Sequence, residues 1–148
     1  MKTISIRPVN IIGHCPANLT PEDEFEIEAM NLRNSKGSAI CFLAPSHFPI
    51  SIWQLQSDSR FFAHASCPGC ISRPDEENRV VFLLGHADKW DLCQTISEYL
   101  AFCKLYEEPE TARKLKAEAI QHQNRGEFSD ATQKMSAALK EIKRGIAS

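Results

Sequence analysis

The chain has 148 residues, 43% of them hydrophobic, which is enough for one ordinary core or for a small core with a helical appendage. Its formal net charge of −2 leaves no basic surplus for neutralising phosphates, so nucleic acid is not an expected partner. No apolar run approaches the roughly 20 residues of a membrane span, and the first residues lack the apolar stretch of a signal peptide. We therefore expect a cytoplasmic protein without a membrane partner, in which six cysteines are thiols or metal ligands rather than disulfides.

Short strands are predicted through the first half of the chain. Residues 3–7 alternate apolar and polar side chains, and the following Pro8 indicates that this strand is short or lies at a sheet edge. Residues 24–28 alternate in the same way, with Phe25 and Ile27 toward the core. These two segments predict half-buried strands.

Three apolar segments complete the first half. Residues 39–43 form a short apolar run, and residues 50–55 fit either a strand or a turn of helix. Residues 79–84 give the strongest strand signal, because turn-forming residues precede them and Gly85 follows. Together the segments predict a small mixed or antiparallel β-rich domain over residues 1–87.

Helical sequence fills the second half, residues 88–148. Asp88 is a plausible N-cap for a first helix, whose apolar face comprises Trp90, Leu92, Cys93, Ile96, Leu100, Cys103 and Leu105. A second helix starts with Pro109 in its first turn, carries Ala112, Leu115, Ala119 and Ile120, and ends at residues 124–126. The last helix carries Phe128, Ala131, Met135, Ala138 and Ile142 at alternating spacings of three and four. The fold class is therefore α+β, with a helix and an antiparallel helical hairpin after the β-rich domain.

The hairpin resembles a single tetratricopeptide unit, because a small residue, a glycine turn, an aromatic residue and an alanine follow one another over residues 119–131. An ordinary helical hairpin is the simpler interpretation, since such arrays need about three repeats to bury a core. In both interpretations, the narrow apolar face of the hairpin has to be buried against another part of this chain, a second copy or a partner. We therefore expect a protein partner, or self-association, through the C-terminal helices.

The motif Cys67-Pro68-Gly69-Cys70 carries the clearest chemistry in the chain. A tight Pro-Gly turn lets two thiolates converge, as zinc knuckles require. The alternative is a thioredoxin-like redox pair, but that motif normally opens a helix, and residues 71–75 are not helix-like. Metal binding is therefore favoured over thiol exchange.

A structural zinc ion needs four ligands, so two more must come from elsewhere. Cys15 and Cys41 lie in turn-like contexts upstream, and we predict a site made of Cys15, Cys41, Cys67 and Cys70. Reserve ligands are His14, His47 and His64. The same four thiolates would suit an iron–sulfur cluster, although their spacing matches neither common ferredoxin pattern. Cys93 and Cys103 belong to a helix face and are expected to pack in a core.

Several short motifs, in the same order along the chain, resemble a small family of uncharacterised bacterial and archaeal proteins. That family has the pattern C-x-x-G-H, G-D-x-F, G-x-C and C-P followed by a final strand. The matching segments here are residues 15–17, 23–27, 39–41, 67–68 and 80–82. The resemblance covers the first half, and it implies that Cys15, Cys41 and Cys67 are the matching positions without implying an activity. The family's Gly-His is Asn18-Leu19 here, so its histidine has no counterpart, and Cys70 is this chain's own candidate ligand.

Besides a metal-free binding module that works through the C-terminal hairpin, two classes of function are compatible with these residues. The favoured one is a metal-binding accessory or structural protein, a small subunit of a larger assembly with a closed Zn²⁺ site and no catalytic activity of its own. The other is a small enzyme, with either an open zinc site or Cys67 as the nucleophile of a thiol oxidoreductase. His64 or His47 would be the general base of the open zinc site.

Overall fold

The structure, a computed structural model, describes residues 2–34, 41, 43–70 and 77–147. Its first unit, Met1–Asp88, holds β1 (Ile4–Ile12), β2 (Phe25–Glu28), β3 (Asn31–Asn34), α1 (Pro49–Gln56), β4 (Phe62–Ser66) and β5 (Arg79–His86). Its second unit, Lys89–Ser148, holds α2 (Trp90–Leu105), α3 (Glu110–Asn124) and α4 (Phe128–Ala147). A β-rich part followed by a helix and a helical hairpin is the α+β class that the sequence predicts.

The five described strands form one antiparallel sheet in the order β3-β2-β1-β5-β4. β5 therefore lies between β1 and β4, and both neighbours run antiparallel to it. The last residues of β1 pair with the first of β5, as in the pair Ile12 and Arg79, and the last residue of β4, Ser66, pairs with Val81. The C-terminal ends of β1 and β4 consequently meet at the start of β5.

The prediction that Pro8 shortens the first strand or places it at an edge is wrong. β1 is nine residues long and has a hydrogen-bonded neighbour on each side. The strand tolerates the proline because its register with β5 shifts between Pro8 and Asn10, and a bulge is one of the few sheet positions where a missing N–H is harmless. Pro8 therefore marks an irregularity inside a central strand.

Other local predictions have mixed outcomes. Residues 50–55, for which strand and helix were both open, lie in α1. β3 and β4 carry little apolar alternation, and the sequence did not indicate them as strands. Residues 39, 40 and 42 of the predicted apolar run lie outside the described residues.

The core of the first unit lies on one face of the sheet. Strand positions separated by two residues supply its side chains, as the period of a strand requires, and Phe48 and Leu55 cover them. Phe48 packs edge-on against the fully buried Phe82, with ring centroids 5.1 Å apart. Cys15, Cys41 and Cys67 pack half-buried against the same cluster. Three of the four predicted ligands are thus attached to the hydrophobic core of this unit.

The second unit is built around α4, which packs against both α2 and α3. Its buried residues are Ala131, Met135, Ala138, Leu139 and Ile142, which confirms the predicted stripe, whereas Phe128 is half-buried. The pairs Thr111–Glu141 and Glu118–Lys134 show that α3 and α4 are antiparallel, as expected. None of the described helices combines the length and the apolar character that crossing a bilayer requires.

Three details of the helical predictions are wrong. α2 begins after Lys89, without a side-chain cap, because a 3₁₀ turn over Ala87–Lys89 precedes it and Asp88 lies within that turn. Pro109 is the N-cap of α3 and not a residue of its first turn. Leu105 and Ile120 are 77% and 48% exposed, because Tyr99 and the small Ala112 and Ala119 occupy the buried positions of α2 and α3.

Tyr99 is buried in the second unit and its hydroxyl donates to Glu108 Oε1 at 2.5 Å. Lys116 Nζ lies 2.7 Å from the same oxygen. The hydrogen bond from Lys116, and then that from Tyr99, hold the pKa of Glu108 below its ordinary value. Burial, aided by the carboxylate, raises the pKa of Tyr99. This network joins the end of α2 to the start of α3.

The lowered pKa of Glu108 predicts how the second unit responds to acid. Its contribution to stability is present above the ordinary glutamate pKa of 4.5 and is lost as the pH falls through the lower folded value. We expect Glu108→Gln to cost about 1–2 kcal/mol at neutral pH and to reduce the loss of stability between pH 5 and about pH 3. Thermal unfolding across this range measures both effects. Glu107→Gln, at an exposed neighbouring position, is the control, and equal acid sensitivity of Glu108→Gln and the unaltered protein would contradict the assignment.

Candidate metal centre

The sheet brings three of the four predicted ligands to one end. Cys15 follows the last residue of β1 by three positions, and Cys67 directly follows the last residue of β4. These two strands flank β5 and end at its first residues, so the loops that leave them are neighbours across β5. Cys70 stays beside Cys67 because Gly69, at a φ of +97°, turns the chain between them.

Cys41 completes the group, and all four predicted cysteines line a single cavity of about 60 Å³. It precedes the 3₁₀ turn Ala44–His47, where Ala44 is anchored in the core. The remaining lining is almost entirely apolar and consists of Pro16, Ala17, Leu43, Ala44, Gly69 and Phe82. Four thiols from three separate loops therefore surround one small apolar space.

Backbone N–H groups point at two of the sulfurs. Val80 N–H donates to Cys67 Sγ at 3.2 Å, and Leu43 N–H donates to Cys41 Sγ at 3.4 Å. The two contacts hold the Cys67 and Cys41 side chains in fixed positions at the wall of the cavity.

Cys70 shows that the four thiols interact electrostatically. Burial raises the pKa of the Cys70 thiol, and Cys41, Cys67 and Cys15 raise it further, in that order. The contribution of the other three cysteines is repulsion, since four thiolates around one apolar cavity are unfavourable without a cation. A divalent ion reverses this balance, because it deprotonates the thiols that coordinate it.

Asn78 connects the cysteine loops, a role that sequence reasoning did not assign to it. Its side-chain oxygen accepts from the His14 N–H at 2.7 Å, and its Nδ2 donates to the Cys70 carbonyl at 3.3 Å. Its backbone carbonyl accepts from the Cys70 N–H at 2.8 Å. Asn78 is 8% exposed. Because its hydrogen bonds reach both loops, it fixes the Cys15 loop relative to the Cys67–Cys70 turn. The one sequence feature that could have indicated this role is the position of Asn78 just before the strongest predicted strand. An asparagine at such a position is usually an ordinary turn residue.

The spacing of the sulfurs is wider than a closed zinc site requires. Zn–S bonds of about 2.3 Å in a tetrahedron place neighbouring sulfurs about 3.8 Å apart. Among the described residues, no three of these four sulfurs lie within 4.8 Å of one another. No disulfide joins the four cysteines either. The donor set fits zinc in number and chemistry, and coordination would require the loops to move inward.

The reserve histidines are not part of this cavity. His47 and His64 instead line a separate open cleft of about 410 Å³, where His47 Nδ1 lies 2.9 Å from the Ser66 carbonyl oxygen. His14 is exposed and meets Asn78 through its backbone N–H. Cys93 is fully buried in α2 and Cys103 is half-buried there. The structure thus groups the four predicted cysteines and none of the three histidines.

No protein-family model, no curated protein and no solved structure matches this chain.

Proposed function

We propose that this protein binds a metal ion, with Zn²⁺ as the favoured ion, through Cys15, Cys41, Cys67 and Cys70. The observation that carries the proposal is that four cysteines from distant parts of the chain line one small apolar cavity. The N–H donors at Cys67 and Cys41 and the mutual repulsion at Cys70 support it. Four soft thiolates with no histidine or carboxylate favour zinc, and an iron–sulfur cluster is the alternative.

The proposed role is structural or accessory. Four protein ligands would leave no coordination position for a substrate, which is the arrangement of closed zinc sites. The ion would tie together the ends of β1 and β4 and the loop that carries Cys41. The raised pKa of Cys70 makes Cys70 itself a poor nucleophile at neutral pH, so a thiol oxidoreductase would have to use Cys67.

A partner, or a second copy of this chain, would bind the C-terminal helices. Leu105 and Ile120 are large apolar side chains at 77% and 48% exposure in that unit, which supports this assignment. A cytoplasmic location fits this proposal, because a cysteine-ligated metal site needs reduced thiols. The protein would then be a small subunit of a larger assembly.

Metal analysis of protein purified without oxygen, combined with a visible absorption spectrum, tests the proposal. We expect one zinc ion bound to the cysteines of each chain and no visible colour, whereas iron with visible absorption would establish the cluster instead. Cys→Ser at each of the four positions should lower the metal content, and Cys103→Ser should leave it unchanged. Protein that contains neither metal, and whose cysteines bind none when zinc is added, would overturn the proposal.

A further inference from the structure

A second group of potential ligands lies at the turn between α3 and α4. His122 is in the last turn of α3, Glu127 directly precedes α4, and Asp130 is in the first turn of α4. Gly126, at a φ of +77°, reverses the chain between the helices, and the Glu127 N–H donates to the His122 carbonyl at 2.9 Å. One nitrogen of His122 and one oxygen from each carboxylate all lie within 4.8 Å of one another.

His122 Nδ1 is the central atom of this group. It is buried from solvent and makes no hydrogen bond within the described part of the chain. Glu127 Oε2 lies 3.6 Å away, which is beyond hydrogen-bond distance. This nitrogen, on a side chain that is 25% exposed, faces the Glu127 carboxylate without hydrogen-bonding to it and so lacks the partner that such atoms normally have. A metal ion bound by all three side chains would supply it.

We propose that His122, Glu127 and Asp130 bind a divalent transition-metal ion of the Zn²⁺ or Co²⁺ type. Such ions take one imidazole nitrogen and two carboxylate oxygens at about 2.0–2.2 Å, which places tetrahedral ligand atoms about 3.4 Å apart. The separation of 3.6 Å between His122 Nδ1 and Glu127 Oε2 is close to that value. Mg²⁺ and Ca²⁺ prefer oxygen ligands throughout, so the imidazole selects against them.

The surrounding charges allow this binding. Arg125 Nη1 lies 4.0 Å from Glu127 Oε1, but its side chain is 67% exposed and can turn toward solvent. Glu118 interacts electrostatically with His122 and adds negative potential, although Lys134 also pairs with it at 2.7 Å. Three protein ligands leave an open position for water or for a group from another molecule. The bound ion would fix the α3–α4 turn, independently of the cysteine cavity.

Titration of Zn²⁺ into the full chain tests the site, with calorimetry for stoichiometry and nitrogen NMR of the histidine rings for location. We expect a binding event that shifts His122 Nδ1 strongly and does not require the four cysteines. In His122→Gln and in Asp130→Asn this event should weaken at least about tenfold. Asp130 is exposed, so its variant keeps the fold, and His14→Gln, which replaces an exposed histidine elsewhere, is the matched control.

The outcomes separate this site from the cysteine cavity. Zinc that shifts the His122 ring signal but is bound by no cysteine supports this inference and overturns the proposed function. Zinc that is bound by the cysteines but leaves the His122 ring signal unchanged overturns this inference alone. The inference is also overturned if His14→Gln weakens the event as much as His122→Gln does. An unchanged His122 ring spectrum at saturating zinc would overturn the inference, because the ion then does not bind the imidazole.

Discussion

Cys67→Ser is expected to abolish the stabilisation of the first unit by zinc. In the unaltered chain, free zinc at about 100 times its dissociation constant should raise the free energy of unfolding by about 2.7 kcal/mol, because the folded state alone presents the assembled site. The variant loses the sulfur that accepts a hydrogen bond from Val80 N–H. Cys67 directly follows the last residue of β4, so this sulfur is held at the end of that strand. Serine hydroxyl is not a thiolate and does not replace it.

Hydrogen exchange with and without zinc measures the effect at the level of single strands. Protection should increase at the C-terminal ends of β1 and β4 and at the start of β5, where the cysteine loops leave the sheet. The backbone amides of α3 and α4 should respond to zinc independently of Cys67. The control is Cys103→Ser, in α2, which should keep the full zinc response of the first unit.

Cys70→Ser distinguishes a four-ligand site from a three-ligand one. If Cys70 is a ligand, its removal should weaken zinc binding to an extent comparable with Cys67→Ser. If only three cysteines bind, zinc should still protect β1 and β4 in this variant. A Cys67→Ser protein that is stabilised by zinc as much as the unaltered chain would contradict the whole assignment.

The sequence predicted the members of the candidate site but not its geometry. Cys67 and Cys70 were predicted as ligands because Pro68 and Gly69 favour a turn between them. Turn preferences depend on adjacent residues, so they can be predicted from a single sequence. The proximity of Cys15 to this turn depends on β1 and β4 flanking β5, which is a property of strand order. Strand order follows from long-range pairing, which residue periodicity does not encode.

The fold shows the same division between local and long-range information. The stripe of α4 was predicted correctly, because Ala131, Met135 and Ala138 follow the helical period over a long segment. β3 was missed, since Asn31–Asn34 is polar and mostly exposed at the sheet edge. Pro8 was misread because a bulge within a central strand has no signature in one sequence.

Asn78 illustrates a third limit. Asparagine before a strand is usually a turn residue, and nothing in the sequence relates it to Cys15, which is 63 positions earlier. Its role arises from burial, because a buried amide has to satisfy both its donor and its acceptor. The groups it meets are the His14 N–H and the Cys70 carbonyl. A polar residue that positions a site in this way is visible only after folding.

Gly13→Ala is expected to damage the same connection and to lower both stability and metal affinity. Gly13 has a φ of +71°, and a Cβ atom there would lie 2.3 Å from Asn78 Oδ1 and 2.4 Å from the Glu77 carbonyl oxygen. The left-handed conformation costs an alanine roughly 1–2 kcal/mol, and the overlap adds a packing cost of similar size. We therefore expect a loss of about 2–4 kcal/mol in the free energy of unfolding.

Comparison with Gly126→Ala separates the steric part of that effect from the backbone strain. Gly126 has a φ of +77°, but a Cβ atom there would meet nothing within 4 Å, so the variant should lose roughly 1–2 kcal/mol from backbone strain alone. Denaturant unfolding and zinc titration of both variants provide the comparison. Because the Gly13 clash pushes Asn78 away from the His14 N–H, Gly13→Ala should also weaken zinc binding at the cysteine cavity by about 10–100-fold. Equal losses of stability in the two variants would mean that Asn78 moves aside freely, and unchanged zinc affinity would mean that Cys15 is positioned without it.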